Sequence, residues 1–247
     1  MGNQGDCPGF RELRFRPLPQ SRKEVEEIAE AWSDSGEATI LTGREASETA
    51  FKRLAPGRRV LHIATHGFFL DPAGCLPPSG DARGIGGIEI SVRTAARPAF
   101  NQGSPLLLSG LALASANRRA EASIEKEDGI LTAEEVASLD LRGVEWAVLS
   151  ACDTGAARST GEQGILGLRR AFQTAGVATL VTSLWPVQDE SAREWMSAFY
   201  RARFRLGEST SRAVRAASLE VLRIRRAQGR SVNPSSWAAF VATGDWN

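Results

Sequence analysis

His66 and Cys152 are the residues of this chain whose types and settings point to covalent chemistry. An imidazole within hydrogen-bond reach of a thiol removes its proton or stabilises the thiolate, and thiolate is the nucleophilic form. Each follows a β-rich apolar run. The first, RVLHIATH over 59–66, is closed by Gly67; the second, 144–150, leads through Ala151 into Cys152 and Asp153. Ligands of a parallel sheet collect outside the carboxyl ends of its strands, where loops and helix N-termini converge. If the two runs are neighbouring strands, His66 and Cys152 meet at one edge as a dyad. The backbone N–H groups of Gly67 and of Cys152 are then available as oxyanion donors, and glycine beside the histidine lets a substrate backbone come close. Taken singly, His66 also reads as a polar residue closing a strand and Cys152 as a small buried hydrophobe.

His62 lies on the same expected strand face as His66, but four strand residues separate them by about 13 Å. That is too far for both to serve one sulfur, so His62 reads as structural. Asp189 follows the end of a third apolar run, 177–183, on the turn LWPVQD, from which it could reach the same edge. An aspartate there is also an ordinary helix-start residue favoured by the dipole. Asp153, next to the nucleophile, either lines the cleft or stabilises a turn.

Other chemistries are excluded by what is missing. No lysine follows a glycine, so the G-x-x-x-x-G-K-[ST] phosphate loop is absent. No serine sits in G-x-S-x-G, and there is neither C-x-x-C nor H-E-x-x-H. With two histidines in the chain, a Cys/His zinc site of usual spacing is hard to build, and no metal or other cofactor is expected. The string GEQGILG over 161–167 follows a loop rather than a strand and lacks the dinucleotide spacing.

The elements that must position these residues are legible in outline. A short edge strand is expected within 12–18, then a helix over 22–33 with Ser21 as its N-cap and Glu24 completing a capping box. A brief strand is expected at 39–41, a helix from the Ser47 cap to Leu54, and a stop at Pro56-Gly57. The region 71–104 has no helical or strand period and reads as a long loop or insertion. Apolar sequence resumes at 106–114. A short helix follows, with Thr132 as cap and Glu135 at the box position. Helices over 164–176, 189–207 and 210–228 and strands over 144–150, 177–183 and 238–243 complete the chain. Strands alternating with helices imply an α/β fold: a mainly parallel sheet with helices on both faces, in one domain.

Composition agrees with a folded domain: 247 residues, 42% hydrophobic and 24% charged. Thirty basic and 29 acidic side chains leave a formal charge of +1, which gives no field for holding nucleic acid or an anionic membrane. The longest apolar stretch, 105–116, is far short of the roughly 20 residues of a membrane span. No secretory signal opens the chain, and Cys7, Cys75 and Cys152 are too widely spaced for a disulfide framework. A cytoplasmic protein is the expectation.

Several blocks together resemble one family. ATHG at 64–67, LSACDTG at 149–155, GLRRAF at 167–172, SLWPVQDE at 183–190 and WAAFVATGD at 237–245 are similar to the CHAT domain. These domains are caspase-like cysteine peptidase modules often found beside tetratricopeptide repeats. The resemblance covers about 15–246, which would make that span a single domain and leave 1–14 as a flexible segment or linker remnant. It implies the caspase-like three-layer fold, His66 as general base or ion-pair partner, Cys152 as nucleophile and the Gly67 N–H as oxyanion donor. Separases, more distant relatives with a similar L-W-x-V-x-D stretch, cleave after arginine and carry an acidic residue in the S1 pocket. By that likeness Asp189 would favour a basic P1 residue. The segment between Gly67 and Leu106 is longer and richer in Gly and Arg than the family pattern. Residues 1–14 hold no tetratricopeptide repeat, so a regulator is expected elsewhere, on another chain or a further part of this one.

The expected function is therefore a cysteine endopeptidase cleaving a protein substrate through a thioester acyl-enzyme, gated by a repeat domain or partner protein. The rival is a catalytically silent interaction module in a signalling or defence assembly. A third reading is a thiol hydrolase or transferase acting on something other than peptides.

Overall fold

The computed structural model describes residues 13–32, 36–69, 88–89, 105–121, 127–150 and 163–245. In chain order the strands are β1 (Arg14–Phe15), β2 (Val60–Ile63), β3 (His66–Phe69), β4 (Ile88–Glu89), β5 (Ser109–Ala112), β6 (Ile130–Thr132), β7 (Trp146–Leu149), β8 (Thr179–Ser183) and β9 (Phe240–Gly244). The α-helices are α1 (Ser21–Trp32), α2 (Glu48–Leu54), α3 (Ala133–Ser138), α4 (Gln163–Thr174), α5 (Asp189–Tyr200) and α6 (Thr210–Ala227).

The main sheet has the order β2-β7-β8-β9. Its first three strands are parallel and β9 closes it antiparallel, as an α/β fold with a mainly parallel sheet requires. Alternation along each strand divides its side chains between two cores. Leu61, Ile63, Ala147, Leu149 and Leu180 pack with Val136, Phe172 and Ala55, on the face covered by α2, α3 and α4. Trp146, Val148 and Val181 pack with Ile28, Trp195, Phe199 and Val221, on the face covered by α1, α5 and α6. Both faces of the sheet are thus apolar, which is why its strands read as unbroken hydrophobic runs. The result is helix, sheet, helix.

A second sheet, antiparallel with order β3-β5-β6, leaves the end of β2. The 59–66 run is therefore two strands, not one. It breaks at Ala64-Thr65, where the Thr65 hydroxyl donates to the Ala112 carbonyl and the chain exchanges β7 for β5 as its neighbour. His66 opens β3 rather than closing β2. Leu13 and Phe15 cover this small sheet, packing with Phe68, Leu108 and Ile130, and β1 pairs antiparallel with β4.

Other local expectations divide by cause. Ser47 accepts from the Ala50 N–H at the start of α2, and the capping box of Thr132 and Glu135 is fully formed at α3. Ser21 is not a cap: it is the first residue of α1 and its hydroxyl donates to the Leu18 carbonyl. Glu24 completes no capping box, because it is turned inward, 2% exposed, to meet His62. Segment 39–41 forms no strand; Ile40 is 45% exposed, and Thr42 takes a turn hydrogen bond from Glu45 on the way to α2. The 189–207 helix ends as α at Tyr200 and continues as a π-turn over Arg201–Arg205. Gly176, at φ +107°, follows α4 in the left-handed conformation that its position requires. Within the 71–104 region the described residues are those of β4; of 1–14 they are Leu13, fully buried, and Arg14.

Candidate active site

The carboxyl ends of β2 and β7 are tied together. The Ser150 N–H donates to the Ile63 carbonyl at 3.0 Å, one step beyond the paired register Ile63↔Leu149. Ile63 leads to His66 through Ala64 and Thr65; Ser150 leads to Cys152 through Ala151. β8 is the next parallel neighbour, with Leu149 opposite Thr182, and from it the turn 184–188 leads to Asp189 at the start of α5. The three runs picked out in the sequence are thus adjacent strands in the order β2, β7, β8, and their carboxyl ends share one edge. Cys152 and Asp153 themselves lie outside the described residues.

His66 is 5% exposed. Its Nε2 is 2.6 Å from the carbonyl oxygen of Arg16, and its ring stacks on Phe15 with centroids 5.7 Å apart and planes 30° from parallel. A carbonyl oxygen only accepts, so Nε2 carries the proton in this bond. In the neutral ring Nδ1 is then the basic nitrogen. A proton acceptor with a set tautomer and a ring clamped in orientation is what a general base needs from its surroundings. Gly67 is buried in β3, opposite Leu111 of β5.

The clamp belongs to the chain between β1 and α1. Asn117 holds both backbone groups of Phe15: its amide oxygen accepts from the Phe15 N–H at 2.8 Å and its amide nitrogen donates to the Phe15 carbonyl at 2.8 Å. Arg119 donates to the Leu13 carbonyl at 2.6 Å. At the far end, the Gln20 N–H donates to Oδ2 of Asp189 at 2.8 Å. Asp189 is half-buried, and burial pushes its carboxyl above the usual aspartate range. The Gln20 hydrogen bond and the nearby His66 and Arg193 oppose that rise, whereas the neighbouring Glu24 adds to it. Asp189 is therefore within electrostatic reach of His66.

His62 is turned the other way, into the α1/α5 layer. Its Nε2–H donates to Glu24 at 2.8 Å and its Nδ1 is 3.0 Å from the Tyr200 hydroxyl. Tyr200 is fully buried, and burial raises its phenol well above the ordinary value. This is a satisfied core cluster. The sequence could not reveal Arg16, Phe15, Gln20 or Asn117 as neighbours of the site: Arg16 and Gln20 act through main-chain atoms, which carry no residue-type signal, and Phe15 and Asn117 come to it from 51 residues away on either side of His66.

Among the described residues no group of three His, Cys, Asp or Glu side chains is arranged to hold a metal ion, and no helix is long and apolar enough to cross a membrane. The family model of the CHAT domain matches residues 3–245 of the chain. Among curated proteins, Tetratricopeptide repeat protein 28 of Homo sapiens is 31% identical over 115 residues, and that of Mus musculus is 33% identical over 117. Each alignment covers 47% of this chain and 4% of the relative, so the shared part is a small fraction of a much longer protein.

Proposed function

Given that the chain belongs to the CHAT domain family, we propose that it is a cysteine endopeptidase in which Cys152 attacks a peptide carbonyl and His66 is its base. The observation that carries this reading is the Ser150–Ile63 hydrogen bond, which starts the segments leading to Cys152 and His66 from neighbouring strand ends. Two residues of chain, about 7 Å at full extension, join Ser150 to Cys152. The His66 tautomer supports the role, since it leaves Nδ1 as the basic nitrogen.

In the reaction, the Cys152 thiol passes its proton to His66 and the thiolate adds to the scissile carbonyl. The Gly67 and Cys152 N–H groups receive the oxyanion. His66 then returns the proton to the departing amine, leaving a thioester that water hydrolyses. The chain's own residues suffice for each step, with no cofactor. Asp189, acidic and near His66, supplies a counter-charge for arginine or lysine at P1, and Asp153, next to the nucleophile in sequence, is the second residue assigned to substrate binding. A tetratricopeptide-repeat domain or partner protein is the regulator in this reading, in keeping with the name of the curated relatives, and the substrate is a protein. A reducing cytoplasm is the compartment this reading assigns, given three widely spaced cysteines.

An acyloxymethyl-ketone probe with arginine at P1 tests the reading by intact mass. Labelling at Cys152 that is absent in Cys152→Ala, slowed in His66→Ala and no longer selective for arginine over alanine in Asp189→Asn supports it. A wild type that binds a repeat-domain partner yet leaves every probe of a P1 series unreacted overturns it in favour of a silent interaction module. Reaction with small thioesters or esters but with no peptide probe would mean a non-peptidase thiol hydrolase.

A further inference from the structure

We infer that Asp189 and Asn117 are positioning residues for His66, acting through the segment 15–20 that they hold at its two ends. This rests on the reading of His66 as the base of the dyad. Within those six residues the contacts with the imidazole lie between two anchors. Asn117 pairs both main-chain groups of Phe15, whose ring stacks on His66. The next residue, Arg16, gives the carbonyl that accepts the hydrogen bond from the Nε2–H. Gln20 then fastens the segment to the Asp189 carboxylate on α5. A backbone carbonyl cannot choose its own direction; it points where its segment is fixed. The Arg16 oxygen is four residues from the Asp189 anchor and one from the Asn117 anchor, so losing either frees a carbonyl that must be aimed to within a few tenths of an ångström to hold one tautomer.

Asp189 then has two separable jobs. Oδ2 is engaged by the Gln20 N–H, and this needs only an acceptor; the attraction for a basic P1 side chain needs the charge. Asparagine keeps the first and removes the second. Alanine removes both, and Gln20→Pro removes the N–H while leaving Asp189 intact, at a position just before a helix where proline is tolerated.

The test reads His66 directly and does not depend on peptidase activity. The chain has two histidines, so nitrogen-15 spectra of the imidazoles are assigned by comparison with His62→Gln. In the wild type and in Asp189→Asn, His66 is expected to show one protonated nitrogen, Nε2, and one bare nitrogen. In Asp189→Ala, Gln20→Pro and Asn117→Ala the two signals are expected to move towards each other as tautomers mix. The rate of Cys152 alkylation by iodoacetamide, a neutral reagent indifferent to P1 charge, is expected to fall roughly five- to tenfold in those three variants and to recover in Asp189→Asn. Unchanged His66 spectra in folded Asp189→Ala and Gln20→Pro proteins would overturn the inference and leave Asp189 as a residue of the helix start. Should Asp189→Ala fail to fold, Gln20→Pro decides. If the wild type instead showed the tautomer but no Cys152 reactivity, the peptidase reading would fail while the positioning role stood.

Discussion

His66 and Arg16, fifty residues apart in sequence, are joined by a 2.6 Å hydrogen bond from the imidazole Nε2 to a main-chain oxygen. An uncharged acceptor orients a base and fixes its tautomer, but it stabilises an imidazolium less than a carboxylate does. That suits a thiol better than a hydroxyl. A cysteine with an ordinary pKa of about 8.5 needs little help to ionise, whereas a serine needs the full Ser-His-Asp arrangement. Phe15 and Arg16 thus account for a site that, among the described residues, sets its histidine with a carbonyl and an aromatic ring.

The second histidine is predicted to matter for stability alone. His62→Ala leaves Glu24, 2% exposed, without its 2.8 Å partner, and Tyr200 without its acceptor. Removing one member of a buried charged or hydrogen-bonded pair costs about 3 kcal/mol. Urea unfolding should show a loss of that order, while the alkylation rate of Cys152 in the folded protein stays at the wild-type value. A loss of reactivity with no loss of stability would mean that His62 takes part in the chemistry.

Glu48 predicts a pH dependence. Burial is the main cause lifting its carboxyl from 4.5 to about 7; Lys52 opposes the rise, while Glu135 and Glu127, which compete for the same lysine, add to it. Lys52 Nζ lies 2.6, 3.0 and 2.9 Å from Glu48, Glu127 and Glu135, one cation among three carboxylates. Because the folded pKa exceeds the unfolded one, the fold favours the protonated acid. Its contribution is fully present below 4.5 and is lost as pH rises through 7. Glu48→Gln, which mimics the neutral acid, should remove that loss. Between about pH 4 and pH 8 the wild type should lose roughly 2–3 kcal/mol relative to the variant. Parallel stability curves for the two proteins would contradict the account.

Gly110 tests how tightly the small sheet under His66 is built. A Cβ there would lie 2.6 Å from the Leu131 carbonyl oxygen and 3.0 Å from the Phe68 ring, both fixed in neighbouring strands. Gly110→Ala should therefore lower stability by about 1–3 kcal/mol, against the gain that loss of unfolded-state freedom would otherwise give. A melting temperature at or above the wild type's would show that β5 has room the structure denies it.

The sequence made legible whatever depended on residue type and short spacing. The Thr132–Glu135 box, the Ser47 cap and the apolar runs of β7 and β8 were all readable because each signal lies within a few residues. Glu24 misled because a carboxylate placed for a capping box looks the same on paper as one turned inward to a histidine 38 residues away. The 59–66 run looked continuous because a change of neighbouring strand leaves no mark on hydrophobicity. Of the site, His66 and Asp189 were visible as side chains at strand and helix ends. Arg16 and Gln20 were not, since they contribute a carbonyl and an N–H that any residue at those positions carries.

The most direct test of the central claim is the pH profile of Cys152 alkylation by iodoacetamide, followed by peptide mass in the wild type and in His66→Ala. The account predicts a Cys152 that reacts well below the ordinary thiol pKa of about 8.5 and loses that reactivity with His66. Cys7 and Cys75 serve as internal references, unaffected by the substitution. A Cys152 that titrates like an ordinary thiol, with the same profile in both proteins, would contradict the dyad.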